Sequence, residues 1–126
     1  HPMFGGGLTW YYRKLAGMNA DENEPGYQHI IFKPQPVDDI SFAKYYNNTS
    51  YGKAGIRWEK SDKNFSMKVT VPVGCTATVY VPAYENQRIK ENGASVSEWE
   101  FITAKGKESG YHIFNVESGM YKFTVE

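Results

Sequence analysis

The chain has 126 residues, a mass of 14.4 kDa and 14 basic against 14 acidic side chains, so its formal charge is zero. That length holds one ordinary domain, or one small domain with a piece of a neighbour attached. No apolar run reaches the roughly 18 residues of a membrane-spanning helix. No basic field is present to hold a phosphate backbone, and Cys75 alone builds neither an internal disulfide nor a cysteine-based metal site. Membrane and nucleic acid are therefore not expected as partners. The chain opens His1-Pro2-Met3-Phe4, with no start methionine or signal peptide, and is expected to be cut from a longer protein.

Residues 5–18 carry the one helical pattern. After the flexible Gly5-Gly6-Gly7, the apolar Leu8, Tyr11, Tyr12 and Leu15 recur at helical spacing, Arg13 and Lys14 suit the C-terminal end, and Gly17 suits a stop. A helix this short is marginal alone and must pack against something. The polar run Asp21-Glu22-Asn23-Glu24-Pro25-Gly26 then marks a boundary at residues 19–26. Its acids lack the alternating oxygen ligands of a calcium loop.

Beyond it the period changes to two. Residues 29–33 read as a short strand ended by Pro34 and Pro36, and residues 40–47 as a second, with a turn over Asn47–Ser50. In the next strand Ala54, Ile56 and Trp58 share one face, against Lys53, Arg57 and Glu59. Across the turn Ser61–Asn64, Phe65, Met67, Val69 and Val71 face in, against Ser66, Lys68 and Thr70; this is the clearest antiparallel hairpin. Ala77, Val79 and Val81 form another inward row. Residues 87–91 and 94–96 flank the turn signal Asn92-Gly93, and residues 99–103 read as a strand with Trp99 and Phe101 inward. Lys105–Gly110 reads as a polar turn, and residues 111–117 and 120–126 as a final hairpin around Ser118-Gly119. Eight or nine short strands without crossover helices predict a mainly β chain. Its expected form is a two-sheet antiparallel β-sandwich, with a barrel as the structural alternative.

No nucleophile motif, phosphate loop or zinc pattern is present, and no metal or cofactor is expected. His1, His29 and His112 are far apart, and the latter two read as ordinary strand residues. Glu91, Glu98, Glu100 and Glu117 lie on or beside strands, but each sits among polar residues as solvent-facing acids do, not as a glycosidase pair. Cys75 reads as a small, partly buried thiol. Trp58 and Trp99 belong to the inner faces, which leaves Tyr45, Tyr51, Tyr80 and Tyr84 as candidates for weak sugar stacking.

The order of several segments carries a resemblance. Gly7-Leu8-Thr9-Trp10-Tyr11-Tyr12-Arg13-Lys14-Leu15-Ala16-Gly17-Met18 is followed by Pro25-Gly26-Tyr27-Gln28-His29-Ile30-Ile31-Phe32-Lys33-Pro34-Gln35-Pro36. Then come Tyr51-Gly52-Lys53, Trp58, Val71-Pro72-Val73-Gly74-Cys75-Thr76-Ala77-Thr78-Val79-Tyr80-Val81-Pro82 and Glu91-Asn92-Gly93. This resembles the C-terminal region of bacterial α-L-rhamnosidases of glycoside hydrolase family 78.

The resemblance implies that residues 1–20 are the terminal segment of a catalytic (α/α)6 barrel, with its last α-helix. It makes 21–26 a linker and 27–126 the sandwich. The family removes terminal α-L-rhamnose with inversion, an acid protonating the leaving oxygen while a base activates water. Both carboxylates would lie upstream, so no catalytic residue is expected here and the chain alone should be inactive. The sandwich would be a structural accessory domain, or alternatively a carbohydrate-binding module. His1 would be a sugar hydrogen-bond donor in the parent enzyme. The implied partners are the upstream barrel and, through it, a rhamnose-containing glycan. A homodimer through the apolar helix 8–16 is a further expectation, since that stripe has lost its neighbours. For a bacterial parent, a periplasmic or secreted location is favoured over the cytoplasm.

Overall fold

The computed structural model describes residues 15–20, 28–36, 40–62, 64–83, 86–92 and 100–126. These form ten strands: β1 Met18–Ala20, β2 His29–Phe32, β3 Phe42–Thr49, β4 Gly52–Lys60, β5 Phe65–Val71, β6 Thr76–Pro82, β7 Ile89–Glu91, β8 Ile102–Glu108, β9 Tyr111–Val116 and β10 Gly119–Val125. They make two five-stranded sheets, the first in the order β1-β2-β6-β9-β8 and the second in the order β3-β4-β5-β10-β7. The rows read from period two are the core. Ala54, Ile56, Trp58, Met67, Val69, Ala77, Val79, Val81, Phe123 and Val125 are all buried. Phe114 of the first sheet stacks on Phe123 of the second, with centroids 5.7 Å apart, and Trp58 stacks on Phe65 at 5.9 Å.

Several expectations are corrected. The sandwich is not wholly antiparallel, because β2 runs parallel to β6, His29 opposite Thr76 and Phe32 opposite Val79. The chain leaves the first sheet after β2, builds β3 to β5 in the second, and returns beside β2 in the same direction.

The expected α-helix is not an element of the described structure either. Met18, its proposed last residue, starts β1, paired with Phe32 and fully buried. Leu15 and Ala16 have helical backbone, but the Leu15 carbonyl accepts from the Gln35 amide at 3.3 Å and that of Gly17 from the Lys33 amide at 2.6 Å. These bonds continue the β1–β2 ladder. Gly17 has φ 93°, and a Cβ there would strike the Lys33 carbonyl. The homodimer through helix 8–16 falls with it: Ala16 is buried, Leu15 packs against the core, and residues 8–14 lie outside the described residues.

The last two strands do not form a hairpin. β9 pairs with β6 and β8, whereas β10 pairs with β5 and β7, so the chain crosses between sheets at Glu117-Ser118. The Tyr121 hydroxyl donates to the Glu117 carbonyl at 2.8 Å and secures the crossing. Lys105–Glu108 belong to β8 rather than to a turn, which is confined to Ser109-Gly110, and Phe101 is 58% exposed rather than inward. β8 is an edge strand with a bulge between Ala104 and Gly106, and Lys105 and Lys107 blunt it against further pairing. Residues 94–96, Trp99, Tyr84 and His1 lie outside the described residues.

Candidate functional site

The outer face of the first sheet is built by β2, β6 and β9. Ile30, Phe32, Ala77, Val79, Val81, Phe114 and Val116 face the core, so alternation turns His29, Ile31, Thr76, Thr78, Tyr80, Ile113 and Asn115 outward. The parallel register sets the His29 imidazole between two threonines, with Nδ1 2.6 Å from Thr76 Oγ1 and Nε2 2.8 Å from Thr78 Oγ1. The Thr78 hydroxyl donates to Asn115 Oδ1 at 3.0 Å. Its one proton is thereby used, so its oxygen accepts from His29 Nε2–H, a role assigned from this network. Hydroxyls rather than a carboxylate orient this ring, which fits a strand residue better than a general base. The network depends on β2 lying beside β6, a pairing that no local sequence signal announces.

A hollow of about 260 Å³ adjoins it, lined by His29, Thr76, Asn115, Glu100, Phe101 and Glu117. Glu100 and Glu117 are both exposed there. An inverting pair must enclose a sugar and a water between its two carboxyl groups, and this open hollow supplies no facing wall among the described residues.

At the other margin Tyr80 and Tyr111 meet edge to face, 5.8 Å between centroids, and the Lys33 ammonium lies 4.9 Å from the Tyr80 ring and 5.2 Å from that of Tyr111. The Tyr111 hydroxyl donates to the Pro34 carbonyl at 2.7 Å, and burial pushes its pKa above the ordinary 10.0. Tyr80 is thus tied into the surface and is not a free sugar platform. Of the other tyrosines proposed for stacking, Tyr45 packs partly against the core and Tyr51 is 42% exposed.

A larger cleft of about 770 Å³ opens at one end of the sandwich, lined by Ser41, Lys60, Asp62, Asn64, Gln87 and Tyr111 among others. Asp62 is the one carboxylate among its described lining, so it holds no acid–base pair. Cys75 is buried, and burial raises its thiol pKa, the reverse of what activates a nucleophile. Glu91 accepts from the Asn92 side chain at 2.5 Å and from the Lys122 amide at 3.3 Å. No group of three metal-ligating side chains occurs among the described residues. Trp58 is fully buried, and its indole N–H donates to the Leu15 carbonyl at 3.2 Å. His112 lies in β9, and Glu98 is outside the described residues.

Two packed five-stranded sheets with extended outer faces define a β-sandwich module. The sequence profile of the bacterial alpha-L-rhamnosidase C-terminal domain matches residues 17–95, and the chain belongs to that family. It is 27% identical over 125 residues to an alpha-L-rhamnosidase of Streptomyces avermitilis, covering 99% of the chain and 11% of that enzyme. It is 25% identical over 118 residues to an alpha-L-rhamnosidase of Alteromonas sp. (strain LOR), covering 92% of the chain and 12% of that enzyme. The alpha-L-rhamnosidase structure from Dictyoglumus thermophilum superposes with a TM-score of 0.80 and 36% identity, over 100% of this chain and 14% of that one. The chain therefore spans about a tenth of the length of the curated relatives it matches.

Proposed function

We propose that this chain is the C-terminal structural module of an inverting alpha-L-rhamnosidase that removes terminal α-L-rhamnose from glycosides, and that the module itself performs no catalysis. The family match over residues 17–95 carries this reading, supported by near-complete alignment to a small part of much longer enzymes. The uncharged centre of the first sheet's outer face is suited to cover apolar surface of an upstream barrel. Ile31, Tyr80 and Ile113 are already half-buried there, and Thr78 and Asn115 satisfy each other. Met18–Ala20 pair into the first sheet, so the junction with the barrel is proposed at about Gly17. His1 is proposed as a sugar hydrogen-bond donor of the whole enzyme.

The test compares the full-length protein that carries this chain with the 126-residue chain alone on a chromogenic α-L-rhamnoside. The expected result is turnover by the full-length protein, with β-L-rhamnose as the first product in proton NMR, and none by the chain. Turnover by the purified chain, or α-L-rhamnose as first product, would overturn the reading.

A further inference from the structure

The outer face of the second sheet has a different character. Lys44 stands opposite Arg57, Arg57 opposite Lys68, and Lys68 opposite Lys122. One straight row thus crosses four adjacent strands with an exposed cation at every position. Inter-strand spacings of about 4.8 Å make the row roughly 14 Å long. Arg57 is paired with Glu59 at 2.5 Å, whereas Lys44, Lys68 and Lys122 form no ion pair among the described residues.

Like charges directly opposite each other weaken a sheet, so this row is costly to maintain. It is not the overflow of a basic protein, because basic and acidic residues balance over the whole chain. Outward neighbours such as Ser66, Thr70 and Thr124 could have held acids and do not. The aromatic rings at one flank are already engaged. The Arg57 guanidinium lies 5.7 Å from the Phe42 ring centre and the Lys53 ammonium 4.7 Å from that of Tyr46, while Tyr46 lies against Gly55, where a Cβ would collide with the ring. Rings already holding a cation are poor stacking platforms for nucleobases. The row instead suits a polymer that presents separated anionic groups.

We propose that Lys44, Arg57, Lys68 and Lys122 form a docking site for an acidic polysaccharide, a chain of sugars bearing carboxylate or sulfate groups. The choice of a sugar polymer rests on the reading of this chain as part of a glycan-degrading enzyme. The bound polymer would hold that enzyme near its substrate without taking part in hydrolysis.

Affinity electrophoresis tests this, running the chain through gels that contain polygalacturonate, dextran sulfate or uncharged dextran at low ionic strength. Retardation by at least one acidic polymer and none by dextran is expected, with the stronger arm naming the anionic group. The retardation should vanish in about 0.5 M salt, where the screening length is a few ångströms. The double variant Lys68→Gln/Lys122→Gln should weaken binding about fivefold. Lys105→Gln/Lys107→Gln, which removes the same charge from the far edge strand β8, should bind as the parent does. Equal losses in the two double variants, no retardation by either acidic polymer, or equally tight binding of a single-stranded oligonucleotide would overturn the proposal. Rhamnoside turnover is read separately, so failure here leaves the assignment of the parent enzyme standing.

Discussion

Along one row of the first sheet the outward residues are Ile31, Thr78, Asn115 and Thr103; along a row of the second they are Lys44, Arg57, Lys68 and Lys122. Behind both rows lie equally buried inner positions, including Phe32 and Val79 on one side and Ile56 and Val69 on the other. The inner rows meet the demands of folding, so the outer rows are free to differ. Covering the first face with another protein strips little water from charge; covering the second would desolvate a line of cations. The proposed barrel contact therefore belongs on the first sheet and the proposed polymer contact on the second.

The largest expected effect removes both faces together. Trp58→Ala should cost about 3–5 kcal/mol, because a fully buried indole leaves a cavity between the sheets and the Leu15 carbonyl loses one of its two donors. Urea unfolding should show one transition, moved to lower denaturant; a second transition would mean that the sheets do not share their stability.

The next variant separates the faces. Ile113→Lys should change the stability of the chain by less than about 0.5 kcal/mol. In the full-length protein it should weaken the module's docking by about 2 kcal/mol, because a lysine would have to be buried without a partner. Thermal unfolding of the two forms compares them, and equal shifts would take the barrel contact off this face.

Tyr121→Phe probes the crossing between sheets and should cost about 1 kcal/mol. Burial foremost, with Glu117 and Glu91 adding, raises the Tyr121 pKa above 10.0, against a smaller lowering by the hydrogen bond to Glu117; burial raises Tyr111 too. The unfolded chain therefore ionises first. Stability is fully present below pH 10 and falls as pH rises beyond it, and Tyr121→Phe should make that fall shallower in urea titrations across the alkaline range.

The smallest effect has the opposite sign. Lys68→Glu places an acid between Arg57 and Lys122 and should stabilise the chain by a few tenths of a kcal/mol at low salt while abolishing polymer binding. The gain should disappear at high salt. Loss of stability instead would show that the cations do not oppose one another.

Strands β4, β5 and β6 were legible because every second residue is apolar, as in Phe65, Met67, Val69 and Val71. The edge strand β8 was not, because a strand exposed on both sides has no inner row to read. The crossing at Glu117-Ser118 was not, because a two-residue link between alternating segments looks the same whether they pair with each other or enter opposite sheets. The Leu8–Leu15 spacing suggested a helix, but spacing says nothing of the Lys33 and Gln35 amides that claim the carbonyls of Gly17 and Leu15. Arg57 and Lys68 each read as outward. Their alignment with Lys44 and Lys122 is a property of register across strands up to about 80 positions apart in the chain, which no single segment carries.

The place of β10 has a consequence for how the molecule is made. It lies between β5 and β7 and matches β5 along all seven of its own residues, Gly119 against Val71 through Val125 against Phe65. Until residues 119–125 emerge during synthesis, β5 has an open edge and Phe123, the partner of Phe114 across the core, is missing. Nascent chains stalled before Gly119 should therefore remain open to protease and to chaperones, and closure should follow emergence of the last strand.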